Sequence, residues 1–237
     1  MRDSRPSLIL FVAAATMAVV ARITESDVLN LIFKPIVVPA IFYYYLQTKR
    51  TKTNFFFSIA LWLFFIADMI MVIFTDYNIV HIMVCVLIGN VIILRFALDD
   101  MTGDVSWYTG MILATVLALL GYLLVTILNL PEKSIDNHFF IYLSYGIVLM
   151  LIVAAAIFNY LSESTQAFMH LLTAALCMLL SDIFYAINLF MFQKNLPILD
   201  NINLIAQFMS YFFLVRYVNS RRTISRNSNI KKAELWK

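Results

Sequence analysis

The chain has 237 residues, of which 62% are hydrophobic, 15% aromatic and 13% charged, with a formal net charge of +3. A soluble domain carries about 25% charged residues, so this chain cannot cover a water-facing surface and its solvent is largely lipid. That excludes a disordered chain, a secreted disulfide scaffold and a nucleic-acid module, and five Gly and five Pro exclude a collagen-like or low-complexity chain.

A spanning helix needs about 20 apolar residues. Polar breaks predict eight in chain order: Ser7–Ala21, Leu29–Leu46, Phe55–Phe74, Ile79–Leu98, Trp107–Leu130, Phe139–Tyr160, Gln166–Phe192 and Pro197–Val218. The runs are continuously apolar and too long for the alternating strands of a β-barrel. The expected fold is all-α, a polytopic bundle over 1–218, followed by a basic cytoplasmic tail over 219–237. Arg2 and Arg5 before Leu8–Ala21 also fit a signal peptide, but no second small residue stands at the cleavage spacing before Ala21. A retained first span is therefore expected.

Eight spans put both termini on one side. That side collects Arg2, Arg5, Lys49, Arg50, Lys52, Arg216, Arg221, Arg222, Arg226, Lys231, Lys232 and Lys237. The opposite loops hold Arg22, Lys133 and Lys194. The positive-inside rule places both termini in the cytoplasm, and the short loops suit a bacterial cytoplasmic membrane. The tail reads as a solvated flank drawn to anionic lipid. Tyr43, Tyr44, Tyr45, Trp107 and Tyr108 stand near span ends and read as an interfacial belt.

An ionisable group inside a span is expensive and marks a functional hypothesis. Foremost are Lys34, Asp68, Arg95 and Asp182, joined by the neutral polar residues Asn90, Ser181, Asn188, Asn203 and Gln207. At 1.5 Å per helical residue, Lys34 and Asp68 lie roughly 8–9 Å from the outer side, and Asp182, Asn90 and Gln207 roughly 15 Å. Arg95 and His170 lie near inner ends and are expected to snorkel. Pro35, directly after Lys34, removes a backbone donor and should kink the second span. Lys34 either neutralises Asp68 or binds an anionic ligand.

No Gly-x-Ser-x-Gly elbow or Walker loop occurs. His81, His138 and His170 are spread across the membrane, so a three-His metal site is not expected, and no cofactor is called for. Cys85 and Cys177 both fall inside spans and read as packing residues. Ala67-Asp68-Met69-Ile70 in span three is faintly echoed by Ser181-Asp182-Ile183-Phe184 in span seven.

At Lys34-Pro35, at Asp68, along Leu180-Ser181-Asp182-Ile183-Phe184-Tyr185-Ala186-Ile187-Asn188-Leu189-Phe190 and at Ala206-Gln207, the sequence resembles the YhhN-like lysoplasmalogenase family. Ala67 stands where that family usually has Gly, and the His often found around Gly89 or Asn90 is absent. The resemblance implies an integral membrane hydrolase that cleaves the vinyl-ether bond of a lysoplasmalogen. Its partners would then be a lysophospholipid substrate and bilayer lipids.

Such a reaction needs a proton donor, an anion and a water. Two carboxyls in different environments can divide these roles. The expectation is that Asp68, paired with Lys34, is the anion and Asp182 the donor, and the sequence alone leaves the reverse division open. Ser181 or Asn188 would orient Asp182, while Asn90 and Gln207 support the site. A proton- or ion-coupled transporter and a non-catalytic lipid-binding protein are the alternatives.

Overall fold

The computed structural model describes residues 5–49, 53–73, 79–101, 106–129, 133–191 and 196–235, with side chains described outside 133–137, 189–191 and 222–235. These residues form eight helices: α1 (Arg5–Ile23), α2 (Asp27–Thr48), α3 (Phe55–Ile73), α4 (Ile79–Asp99), α5 (Trp107–Leu128), α6 (Lys133–Ser162), α7 (Gln166–Met191) and α8 (Pro197–Leu235). Each contains a stretch long and apolar enough to cross a membrane. The protein is an all-α integral membrane protein. The predicted ends of the third, fifth and seventh spans, Phe74, Leu130 and Phe192, lie outside the described residues, as do the basic residues Arg2, Arg50, Lys52, Lys194 and Lys237.

Two boundaries differ from expectation. α6 begins at Lys133, but His138 has non-helical angles (φ −130°, ψ 28°), so a short leading turn is joined to the spanning helix across a kink. α8 runs on to Leu235, beyond the predicted end at Val218, because nothing between 219 and 235 is Gly or Pro to break it. α2 continues through Pro35 and Pro39 as one helix. The two prolines remove backbone donors without ending it.

Packing makes a ring. α1, α2, α3, α4, α6, α7 and α8 contact one another in that order, and α8 closes the ring on α1 and α2. α5 packs chiefly on α6 and buries little besides Thr109. The turn after α1 is tight, with Glu25 at a positive φ of 51°. Ser26 then caps α2 by accepting the Leu29 N–H at 3.5 Å.

The end of the bundle that carries the α4 C-terminus is clamped by polar contacts. The Tyr217 hydroxyl donates to Asp100 at 2.6 Å and lies 3.1 Å from the Phe96 carbonyl, and Arg221 Nε donates to Asp100 at 2.6 Å. Asn159 Nδ2 reaches the Ala97 carbonyl at 2.8 Å. Tyr44 and Tyr45 do not join an interfacial belt: both are buried, and Tyr45 accepts the Asn54 N–H at 2.9 Å. Tyr43, Trp107 and Tyr108 are exposed on the outside of the bundle. Arg95 lies outside too, over the Phe56 ring, whereas His170 does not snorkel but is buried against Phe213. Cys85 and Cys177 are free thiols.

Candidate functional site

Inside the ring lies a cavity of about 670 Å³, within the usual size range of small-molecule sites. Lys34, Asp68, Asp182, Ser181, Asn188, Asn90 and Gln207 all line it. Every site residue expected from the sequence therefore shares one space, although the residues come from five helices.

α2, α3 and α8 build the first carboxylate. Asp68 is buried, and Lys34 Nζ stands 3.8 Å from its Oδ1. Gln207 Nε2 donates to Oδ1 at 3.1 Å, and the Tyr211 hydroxyl donates to Oδ2 at 3.2 Å. Gln207 and Tyr211 are one helical turn apart on α8, so both point at Asp68, and Gln207 Nε2 also reaches the Tyr211 oxygen at 2.9 Å. An ammonium and two neutral donors around one carboxylate is a setting for an anion.

α6 and α7 build the second. The Tyr145 hydroxyl donates to Asp182 Oδ2 at 2.7 Å. Its partner is a neutral phenol rather than a cation, so the two carboxyls sit in chemically different places. Asn90 faces Tyr145 from α4. Its amide is fully buried, with the Tyr145 hydroxyl as its polar neighbour.

Neither expected orienting residue of Asp182 acts as one. Ser181 Oγ donates to Asn203 Oδ1 at 2.6 Å. Asn188 Nδ2 donates to Asp200 Oδ1 at 2.6 Å, while Asn188 Oδ1 accepts the Leu196 N–H at 2.8 Å. Residues 181 and 188 are two turns apart and share the face of α7 turned to α8, whereas 182 is rotated by about 100°. Ser181 and Asn188 therefore fasten α7 to α8, and Asp182 turns to α6.

Sequence reasoning missed Tyr145, Tyr211 and Asp200. The i, i+4 spacing of Gln207 and Tyr211 was a usable signal for one of them. Nothing local marks Tyr145. Asp200 stands at the cavity rim and pairs with Arg22 at 2.9 Å, tying the α1–α2 turn to the start of α8. Among the described residues no three His, Cys, Asp or Glu come together in a group that could hold a metal ion.

The far wall is apolar. Leu120, Leu123, Leu124, Ile127 and Leu128 form one stripe of α5 at helical spacing and face the cavity. α5 comes close to α6 at Gly146, where a Cβ would collide with the Leu124 side chain. The missing side chain at Gly146 is what lets the two helices approach. The cavity thus joins a polar rim, two carboxyls and an apolar end wall.

A family model, that of the YhhN family, matches residues 29–215. No curated protein and no solved structure matches the chain.

Proposed function

The chain belongs to the YhhN family, and from that premise we propose that it is an intramembrane ether hydrolase cleaving the vinyl-ether bond of a lysoplasmalogen or a related ether lysolipid. One observation carries the reading: Asp68 and Asp182 line a single cavity that also has an apolar wall, one beside an ammonium and the other beside a phenol. A bacterial cytoplasmic membrane is the proposed location, with bilayer lipids as surroundings and no cofactor required.

In this reading Asp182 gives its proton to the outer carbon of the double bond. The π electrons form the new C–H bond, and the oxygen-bearing carbon becomes an oxocarbenium ion. The Asp68 carboxylate stabilises that cation electrostatically. Water adds to the cationic carbon and returns a proton to Asp182, leaving a hemiacetal. Its collapse breaks the carbon–oxygen bond and moves the hydroxyl proton to the glycerol oxygen. The products are a fatty aldehyde and a glycerophospho-alcohol. Tyr145 holds Asp182 in place, and Gln207 and Tyr211 hold Asp68.

The test is direct. Purified protein in detergent is incubated with a lysoplasmalogen, and aldehyde release is measured, with and without chelator. Release that needs both Asp68 and Asp182 is expected, unchanged by the chelator. No release, together with solute uptake dependent on Asp68, would replace the hydrolase by a coupled transporter.

A further inference from the structure

Lys34 is placed oddly for a residue whose task is to neutralise Asp68. Its side chain is 7% exposed, yet Nζ lies 3.8 Å from Asp68 Oδ1, beyond hydrogen-bond reach. Both Asp68 oxygens already accept other donors, from Gln207 and Tyr211. The acceptor the ammonium does have is the thioether sulfur of Met71, at 3.2 Å, and a thioether is a weak acceptor. A buried ammonium with three N–H donors and no oxygen in hydrogen-bond range among the described residues has capacity for a ligand.

The direction in which that capacity points follows from the neighbours. Asn30 precedes Lys34 by one helical turn on α2, so both face the same way, and both line the cavity. Arg22 stands at the rim above them, with its charge within electrostatic reach of Lys34. Arg22, Asn30 and Lys34 thus line the cavity together with the carboxylates Asp27 and Asp200, the second of which already pairs with Arg22, and the leucine stripe of α5 lines it too.

We infer that Lys34, with Asn30, forms a phosphate subsite that takes the phosphodiester of a lysophospholipid and so fixes the direction in which the lipid lies. The inference rests on the substrate class proposed above. With the phosphate at Lys34, the three-carbon glycerol spans from α2 toward the carboxyls. The chain continues along the α5 wall, and the head group faces the rim. Lys34 then acts on the substrate as well as on Asp68: it is a binding residue placed beside the proposed anion.

The experiment reads binding, so it stands apart from turnover. The full-length protein in lipid nanodiscs is titrated with 1-O-alkyl-glycero-3-phosphocholine, whose saturated ether has no double bond to protonate. The comparison ligands are 1-O-alkylglycerol of the same chain length and inorganic phosphate. A charge-assisted hydrogen bond predicts that the phospholipid binds about tenfold more tightly than the alkylglycerol. Lys34→Gln should erase that preference and Lys34→Arg should keep it.

Equal affinity of the two lipids for the wild-type protein would overturn the subsite, and this comparison decides even if Lys34→Gln does not fold. A preference that survives in folded Lys34→Gln would overturn it as well. Displacement by inorganic phosphate at the lipid's own concentration would overturn the lipid assignment in favour of a free-phosphate site. Loss of aldehyde release with the binding preference intact would instead sink the hydrolase reading and leave the subsite standing.

Discussion

Tyr145 on α6 hands its phenolic hydrogen to Asp182 on α7 at 2.7 Å, across 37 residues of sequence. This bond fixes where a proton on Asp182 could be delivered. Tyr145→Phe removes it while keeping the ring, so turnover should fall about tenfold for the loss of one hydrogen bond to a charged or charge-developing group. The check is the aldehyde release rate alongside thermal unfolding in detergent. An unchanged rate would separate Tyr145 from the chemistry.

The carboxyls themselves should weigh more. General acid catalysis contributes roughly 10²–10⁴-fold, so Asp182→Asn should reduce aldehyde release by that order with little change in lysolipid affinity. Asp68→Asn should also depress the rate. Full activity in either variant would end the two-carboxyl mechanism.

Stability and activity should part company at Lys34 and Asp68. Removing one member of a buried pair leaves an uncompensated charge, typically at a cost of about 3–5 kcal/mol. Asp68→Ala is therefore expected to unfold well below the wild type. The double variant Lys34→Met, Asp68→Leu removes both charges and should recover most of the lost melting temperature while remaining inactive. Recovery of activity would show that the pair is only structural.

Gly146 sets how closely α5 approaches α6. A side chain there collides with Leu124, and overpacking of this kind costs about 1–3 kcal/mol. Gly146→Val should push the leucine wall outward and lower turnover of long-chain lysolipids more than of short-chain ones. A chain-length series on the purified variant measures this. Uniform loss across the series would mean that α5 does not line the chain site.

The scarcity of charge made the helices and the core of the site readable. Lys34, Asp68 and Asp182 stand out in apolar spans because a membrane tolerates such groups only where protein or water receives them, and all three face the cavity. Tyrosine gives no such contrast. It is at home at a membrane interface, so Tyr44 and Tyr45 read as belt residues although they are buried, and Tyr145 and Tyr211 gave no alarm. Ser181 and Asn188 were legible as unusual but not as helix fasteners, since their partners Asn203 and Asp200 are set by how α7 meets α8. Nor does hydropathy tell that α5 stands outside the ring: its sequence is as apolar as that of its neighbours.

That outlying position of α5 has a consequence for traffic. A helix that leans chiefly on α6 is the part of the wall held by the fewest neighbours, and behind it lies bilayer rather than water. The polar rim at Arg22 and Asp200 lies at the end of the bundle where α1 and α5 end and α2 and α8 begin. Under the proposed hydrolysis, the oily fragment would form beside this apolar helix and the water-soluble one beside the polar rim. The aldehyde would slip sideways into the membrane and the glycerophospho-alcohol would leave through the rim, so the two products would be sorted into different phases as they form.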